Sequence, residues 1–201
     1  MITETMPLLF IALSYFLGAI PFGLIFGRMF SGIDVRTLGS GNIGATNVLR
    51  ASGKMAAVLT LIADALKGLL PVLAARLLFQ DDWITTGSGI AAVLGHAFPV
   101  YLKFRGGKGV ATSYGVILAV APWTGVLCLV IWLVAAYLWR YSSLAALLSF
   151  ACYPVLTFTV STPASHASGL LSLFIFGMIY YRHRENIQRL LIGSESKIGE
   201  K

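Results

Sequence analysis

The stretch "KMAAVLTLIADALKGLLPVLAARLLF", Lys54–Phe79, decides the fold. A transmembrane helix needs roughly 20 predominantly apolar residues, and this run exceeds that length with only Asp64, Lys67 and Arg76 as charges beyond Lys54 at its mouth. An ionisable side chain at membrane depth is expensive unless paired. Asp64 and Lys67, three residues apart, share one helical face and are read as a mainly structural pair.

Segments of the same kind lie on both sides of it: Met6–Phe30, Ile84–Leu102, Val110–Val120, Trp123–Trp139, Leu144–Val160 and Ala167–Tyr181, the Val110 segment being the shortest. The chain of 201 residues is 57% hydrophobic and only 11% charged, which excludes an ordinary soluble domain. The expected fold is therefore all-α, a polytopic integral membrane bundle of about seven transmembrane helices, with residues 1–201 forming one domain. Pro21 and Pro71 are read as kinks. Gly23 and Gly27 form a small-xxx-small packing pattern, and Cys128 and Cys152 fall inside apolar segments, so no disulfide framework is expected. The first span has no basic leader region and a long apolar stretch, and is expected to be retained as a helix rather than removed as a signal.

Lysine and arginine set the expected orientation, because short loops rich in them stay in the cytoplasm. Arg28, Arg36, Arg50 and Lys54 flank the first connection, Lys103, Arg105 and Lys108 the third, Arg140 the fifth, and Arg182, Arg184 and Arg189 follow the last span. The other side offers Arg76 against Asp81 and Asp82. Seven spans then place the N-terminus outside and the C-terminus in the cytoplasm. The net charge of +7 is read as topology plus attraction to anionic membrane lipids, with no nucleic acid as a partner.

Three cytoplasmic stretches hold polar groups that topology does not require. In "GSGNIGATNVLR", Gly39–Arg50, the side chains of Ser40, Asn42, Asn47 and Arg50 stand among glycines that include Gly41. Glycine permits close backbone approach, so successive amides can converge on an anion. The string fits G-x-G-x-x-G formally, but it follows a membrane helix rather than a strand, so no dinucleotide site is read. In "GHAFPVYLKFRGGKGVAT", Gly95–Thr112, Arg105 and Lys108 bracket Gly106 and Gly107 ahead of a helix, a phosphate cradle in type. It is not a Walker A loop, since Gly109 follows Lys108. His96 is read as hydrogen-bonded between helices. In "YYRHRENIQRLL", Tyr180–Leu191, Ile187, Leu190 and Leu191 repeat at helical spacing, as expected of a helix lying along the headgroups, with His183 and Asn186 on one face.

These three stretches, in this order, resemble the three motifs of the bacterial acyl-phosphate:glycerol-3-phosphate acyltransferase family, and the likeness covers essentially the whole chain. The resemblance implies an enzyme that moves a fatty acyl group from acyl phosphate to the sn-1 hydroxyl of glycerol 3-phosphate, giving 1-acyl-glycerol 3-phosphate and phosphate. It assigns Ser40, Gly41, Asn42, Asn47 and Arg50 to acyl phosphate and the developing oxyanion. It gives Arg105, Gly106, Gly107 and Lys108 to glycerol 3-phosphate, His183 and Asn186 to the hydroxyl, and Glu185 to the motif's structure. Ser40, Asn42, Arg50, His183 and Asn186 thus form the catalytic set. Either His183 or a substrate phosphate takes the hydroxyl proton. No cofactor or metal is implied. Membrane lipids and the enzyme that forms acyl phosphate are the expected partners.

Other lipid chemistries fit less well. Thioester-dependent acyltransferases need H-x-x-x-x-D, and the residues five after His96, His166 and His183 are Tyr101, Leu171 and Gln188. Metal-dependent alcohol phosphotransferases need clustered aspartates, and no His, Cys or carboxylate cluster has metal-ligand spacing. A small transporter of a phosphorylated solute is the main alternative. It would place its polar groups near the midplane, whereas only Asp64 and Lys67 lie deep.

Overall fold

The computed structural model describes residues 2–160 and 165–199, with side chains described from residue 5 onward. Every regular element among them is helical. Four segments are long and apolar enough to cross a membrane: Thr5–Ser31, Ala45–Phe79, Pro122–Trp139 and Ser142–Val160.

The first of these is two helices, α1 (Ile2–Gly18) and α2 (Phe22–Ser31), broken where Pro21 removes an N–H and blocks the helical bond. The expected kink is thus a full interruption. In the broken turn the Ile20 carbonyl accepts from Phe22 N at 3.1 Å and from Lys67 Nζ at 2.7 Å.

The next helix, α3 (Ala45–Phe79), is 35 residues long. At 1.5 Å per residue it would reach about 52 Å, well beyond the roughly 30 Å of hydrocarbon. Gly53, at φ 86° and ψ −178°, divides it into a stub carrying Asn47 and Arg50 and the span itself. That backbone conformation is essentially restricted to glycine. A Cβ there would meet nothing within 4 Å, so conformation alone imposes the residue. The expected start of the span at Lys54 falls directly after this kink.

Helix α4 (Asp82–Ala97) begins at an Asp81 cap whose carboxylate accepts from Trp83 N at 2.7 Å and Ile84 N at 2.9 Å. It ends short of the expected Leu102. Pro99 cannot continue it, and Val100–Leu102 forms a separate 3-10 turn. Helix α5 (Val110–Val120) has 11 residues, about 16 Å, half the hydrocarbon thickness. It therefore crosses only as part of the bundle, from Lys108 at its start to the Ala119 and Val120 carbonyls that accept from Arg76 at its end. It lies antiparallel to α3, with Gly68 against the Thr112 carbonyl and Gly115 against that of Ala65. Helices α6 (Pro122–Trp139), α7 (Ser142–Val160), α8 (His166–Arg182) and α9 (Arg184–Leu191) complete the bundle.

The main core joins α3 to α8 through Val72, Val93, Ile117, Phe150, Tyr153 and Leu171, all essentially inaccessible. A smaller core of Leu24, Val35, Ile43 and Val48 seats the loop after α2 on the α3 stub. The periphery carries exposed Leu8, Leu77, Trp123, Leu133 and Tyr137. Such a surface is unfavourable in water and natural in lipid.

Candidate functional site

The loop between α2 and α3 is held at both ends. Asp34 accepts from Arg36 N at 3.1 Å and from the Arg36 guanidinium at 2.6 Å, with Arg28 at 3.3 Å. The hydrogen bonds from Arg36 hold the Asp34 carboxyl well below the usual carboxylate range. Asn47, buried beneath the loop, donates to Val35 O at 2.7 Å and Asn42 O at 2.8 Å and accepts from Ser40 N at 2.9 Å. Both amide hydrogens of Asn47 are therefore spent on the loop's own backbone, which places it as the staple of the turn rather than at its surface. Ser40, Gly41 and Arg50 are exposed above it, and Asn42 Oδ1 is buried with no protein partner.

The second loop leaves α4 and turns back on it. Gly106 N donates to Ala97 O at 3.2 Å and Gly107 N to His96 O at 3.1 Å. A Cβ at Gly106 would overlap the His96 carbonyl, and one at Gly107 would overlap His96 Nε2, so the close approach requires glycine at both positions. From the opposite side Arg182 donates to Gly107 O at 3.1 Å and Gly106 O at 2.9 Å. Lys108, the next residue, is aimed at the junction of α8 and α9. Arg105 is exposed on the outer edge of the loop, apart from this junction.

His183 ends α8 and Asn186 sits in the first turn of α9, both buried. Lys108 Nζ donates to Asn186 Oδ1. Asn186 Nδ2 donates to Glu195 Oε1 at 2.6 Å, and Glu195 also accepts from Ser143 Oγ at 2.7 Å and Arg189 Nε at 2.7 Å. Ser143 lies beside Ser142, whose Oγ is 3.3 Å from Thr46 Oγ1 in the α3 stub. The three polar stretches thus meet in one region, Lys108 with Asn186 directly and with His183 through its charge, and the Ser40–Arg50 stretch by way of Thr46 and Ser142. Helices α3 and α5 begin here after Gly44 and Gly109, which supply no side-chain cap. Their first N–H groups are left for other acceptors, and the positive end of the α5 dipole adjoins Lys108.

Burial pulls the Lys108 ammonium down to about 8, with Glu195 opposing the shift. His183 Nδ1 is 2.8 Å from Ile179 O. A carbonyl only accepts, so Nδ1 carries the hydrogen and Nε2 of the neutral ring keeps a lone pair. Burial, reinforced by the nearby Lys108 charge, lowers His183 to about 4, so the ring is neutral at physiological pH. Burial works to raise the Glu195 carboxyl, but its bonds from Ser143, Arg189 and Asn186 outweigh that and leave it below its ordinary value.

Glu195, Ser143 and Arg182 were not singled out by sequence reasoning. Arg182 adjoins His183 in a visible motif, but Glu195 stands in a short aperiodic tail that carries no such signal. The expected structural glutamate, Glu185, is exposed in the first turn of α9. The carboxylate that ties α9 to α7 is that of Glu195.

Fold and site together define a class: an integral membrane helix bundle with a recessed, anion-receptive cluster of lysine, asparagine and histidine. The chain belongs to the glycerol-3-phosphate acyltransferase family, which it matches over residues 8–193, and is thereby an acyltransferase. It is 49% identical over 188 residues to the glycerol-3-phosphate acyltransferase of Dinoroseobacter shibae, covering 94% of this chain and 91% of that one. The corresponding enzyme of Sinorhizobium fredii is 50% identical over 199 residues, covering 96% and 93%. Among solved structures it is similar to PlsY, an integral membrane glycerol 3-phosphate acyltransferase. The glycerol 3-phosphate form gives a TM-score of 0.92 at 41% identity over 96% of each chain. The lysophosphatidic acid form gives 0.89 at 41% identity, covering 96% of this chain and 95% of that one.

Proposed function

We propose that this chain transfers a fatty acyl group from acyl phosphate to the sn-1 hydroxyl of glycerol 3-phosphate, releasing 1-acyl-glycerol 3-phosphate and inorganic phosphate. The observation that carries this reading is the contact of Lys108 with Asn186 beside the unprotonated Nε2 of His183. That group set offers a cation for a phosphate and an acceptor for a hydroxyl.

Lys108 and the free amides at the start of α5 hold the phosphate of glycerol 3-phosphate, and His183 Nε2 accepts its sn-1 O–H and aims the oxygen at the acyl carbonyl carbon. The new C–O ester bond forms as the C–O bond to phosphate breaks, and the phosphate leaves with the electron pair. A base with a pKa near 4 is too weak to drive proton removal at neutral pH. The hydroxyl hydrogen, held by His183 Nε2 before attack, turns from it to a phosphate oxygen and is transferred there as the ester bond forms. Acyl phosphate is a mixed anhydride, so positioning and charge stabilisation carry much of the rate. Ser40, Gly41, Asn42 and Arg50 serve the acyl phosphate and the developing oxyanion, Asn47 by shaping their loop, and Glu195 fixes which way the Asn186 amide faces. The acyl tail lies among the apolar helices. The whole chain acts as one domain with its N-terminus outside, its C-terminus and site toward the cytoplasm, and an acyl-phosphate-forming enzyme as its supplier.

The donor is the point to test. Purified protein given glycerol 3-phosphate and either palmitoyl phosphate or palmitoyl-CoA will form product from the phosphate alone. Equal rates with the thioester would overturn the assignment of donor.

A further inference from the structure

Asp64, Lys67 and His96 form a buried polar cluster to which the proposed chemistry assigns no task. All three are at most 3% exposed. Lys67 Nζ lies 2.7 Å from Asp64 Oδ1 and donates to Ile20 O in the break between α1 and α2. His96 Nδ1 is 3.7 Å from the same Asp64 oxygen, too long for a hydrogen bond but within direct electrostatic reach. Stability does not account for the cluster, because a buried ion pair is often no better than apolar residues of equal volume. Ionisable groups at membrane depth are usually functional.

The far edge of the His96 ring shows what the cluster holds. Nε2 fills the space where a Cβ of Gly107 would stand, while the His96 carbonyl takes the Gly107 N–H. The loop is thus clamped between His96 and the Arg182 guanidinium, which binds the Gly106 and Gly107 carbonyls. Lys108 follows immediately. We propose that Asp64, Lys67 and His96 are positioning residues for the acyl transfer: the ion pair orients the His96 ring, the ring sets the height of the glycine loop, and the loop sets the Lys108 ammonium against its phosphate. The same ion pair is tied to the helix break at Ile20, so the first helix and the phosphate loop are fixed to one buried anchor.

This inference rests on the reading of Lys108 as the holder of the glycerol 3-phosphate phosphate, and the experiment separates the two. KM and kcat for glycerol 3-phosphate are measured for wild type, Lys108→Ala, His96→Ala and Gly107→Ala, and for His96→Ala and Gly107→Ala each combined with Lys108→Ala. Displacement of a binding group by a fraction of an ångström to an ångström is expected to raise KM on the order of 10-fold for His96→Ala and for Gly107→Ala, with a smaller change in kcat. Because both act chiefly through Lys108, most of their effect on KM is expected to vanish once Lys108 is alanine. If Lys108→Ala raises KM but the second substitution multiplies it by the same factor as in wild type, the positioning role is overturned and the phosphate role stands. If Lys108→Ala leaves KM unchanged, both fall. Should His96→Ala fail to fold, Gly107→Ala decides alone, since its Cβ would overlap His96 Nε2 and so forces the ring and the loop apart.

Discussion

In the proposed reaction Lys108 and His183 divide the work by their ionisation. With its ordinary pKa lowered to about 8 in the substrate-free protein, Lys108 is largely charged at pH 7 and loses its proton as pH rises through 8. The expected result is that kcat/KM for glycerol 3-phosphate falls above pH 8, and that in Lys108→Ala this alkaline limb disappears while KM is raised throughout. His183 has no proton to lose in that range, and its task is to hold a hydroxyl rather than to remove a proton. His183→Gln, which still accepts a hydrogen bond, is expected to keep substantial activity, whereas His183→Ala loses on the order of 10² to 10³ in kcat; equal loss in both, measured at saturating substrate, would restore the histidine base. These two residues were legible from sequence, one as a lysine in a glycine loop before a helix and the other as half of a His–Asn pair on one helical face. Asn47 was legible only by type. Its position in a polar motif did not reveal that its amide faces the backbone beneath. Glu195 was not legible at all, because a carboxylate in an aperiodic tail carries no spacing to read.

At the scale of elements, glycine and proline set where the helices turn. The Gly53 kink swings the α3 stub toward α7, where Thr46 meets Ser142. Gly53→Ala is expected to destabilise by about 1–3 kcal/mol, the usual range for a non-glycine residue in so sparsely populated a conformation. It should also lower activity by more than that loss explains, because a straightened helix carries Thr46 away from Ser142 and the rest of the stub with it. Thermal unfolding in detergent beside kcat at 25 °C checks this, and unchanged values for both would remove the kink from the account. The apolar segments were readable because hydrophobic length is the dominant signal in lipid. The half-length α5 was visible as the shortest segment, but its burial against α3 depends on Gly68 and Gly115, whose partners are distant in sequence. The true end of α4 at Ala97 rather than Leu102 follows from Pro99, which interrupts a stretch that remains apolar in composition.

For the whole molecule, the proposed reaction needs the polar cluster to lie where a water-soluble phosphate and a lipid-borne donor can meet, and the proposed orientation has the basic loops hold that end in the cytoplasm. Single cysteines at Ser52 and Arg105 are expected to react with a membrane-impermeant reagent only after the cytoplasmic face is opened, and one at Asp82 to react in intact cells. Labelling of Arg105→Cys from outside would reverse the orientation. The most direct test of the central claim uses the purified protein reconstituted in lipid, with acyl phosphate and glycerol 3-phosphate together and each alone, measuring phosphate release and 1-acyl-glycerol 3-phosphate in the same samples. The account predicts one phosphate per ester formed, only when both substrates are present, and loss of both products in His183→Ala. Phosphate release without ester, or ester formation at the wild-type rate in His183→Ala, would contradict it.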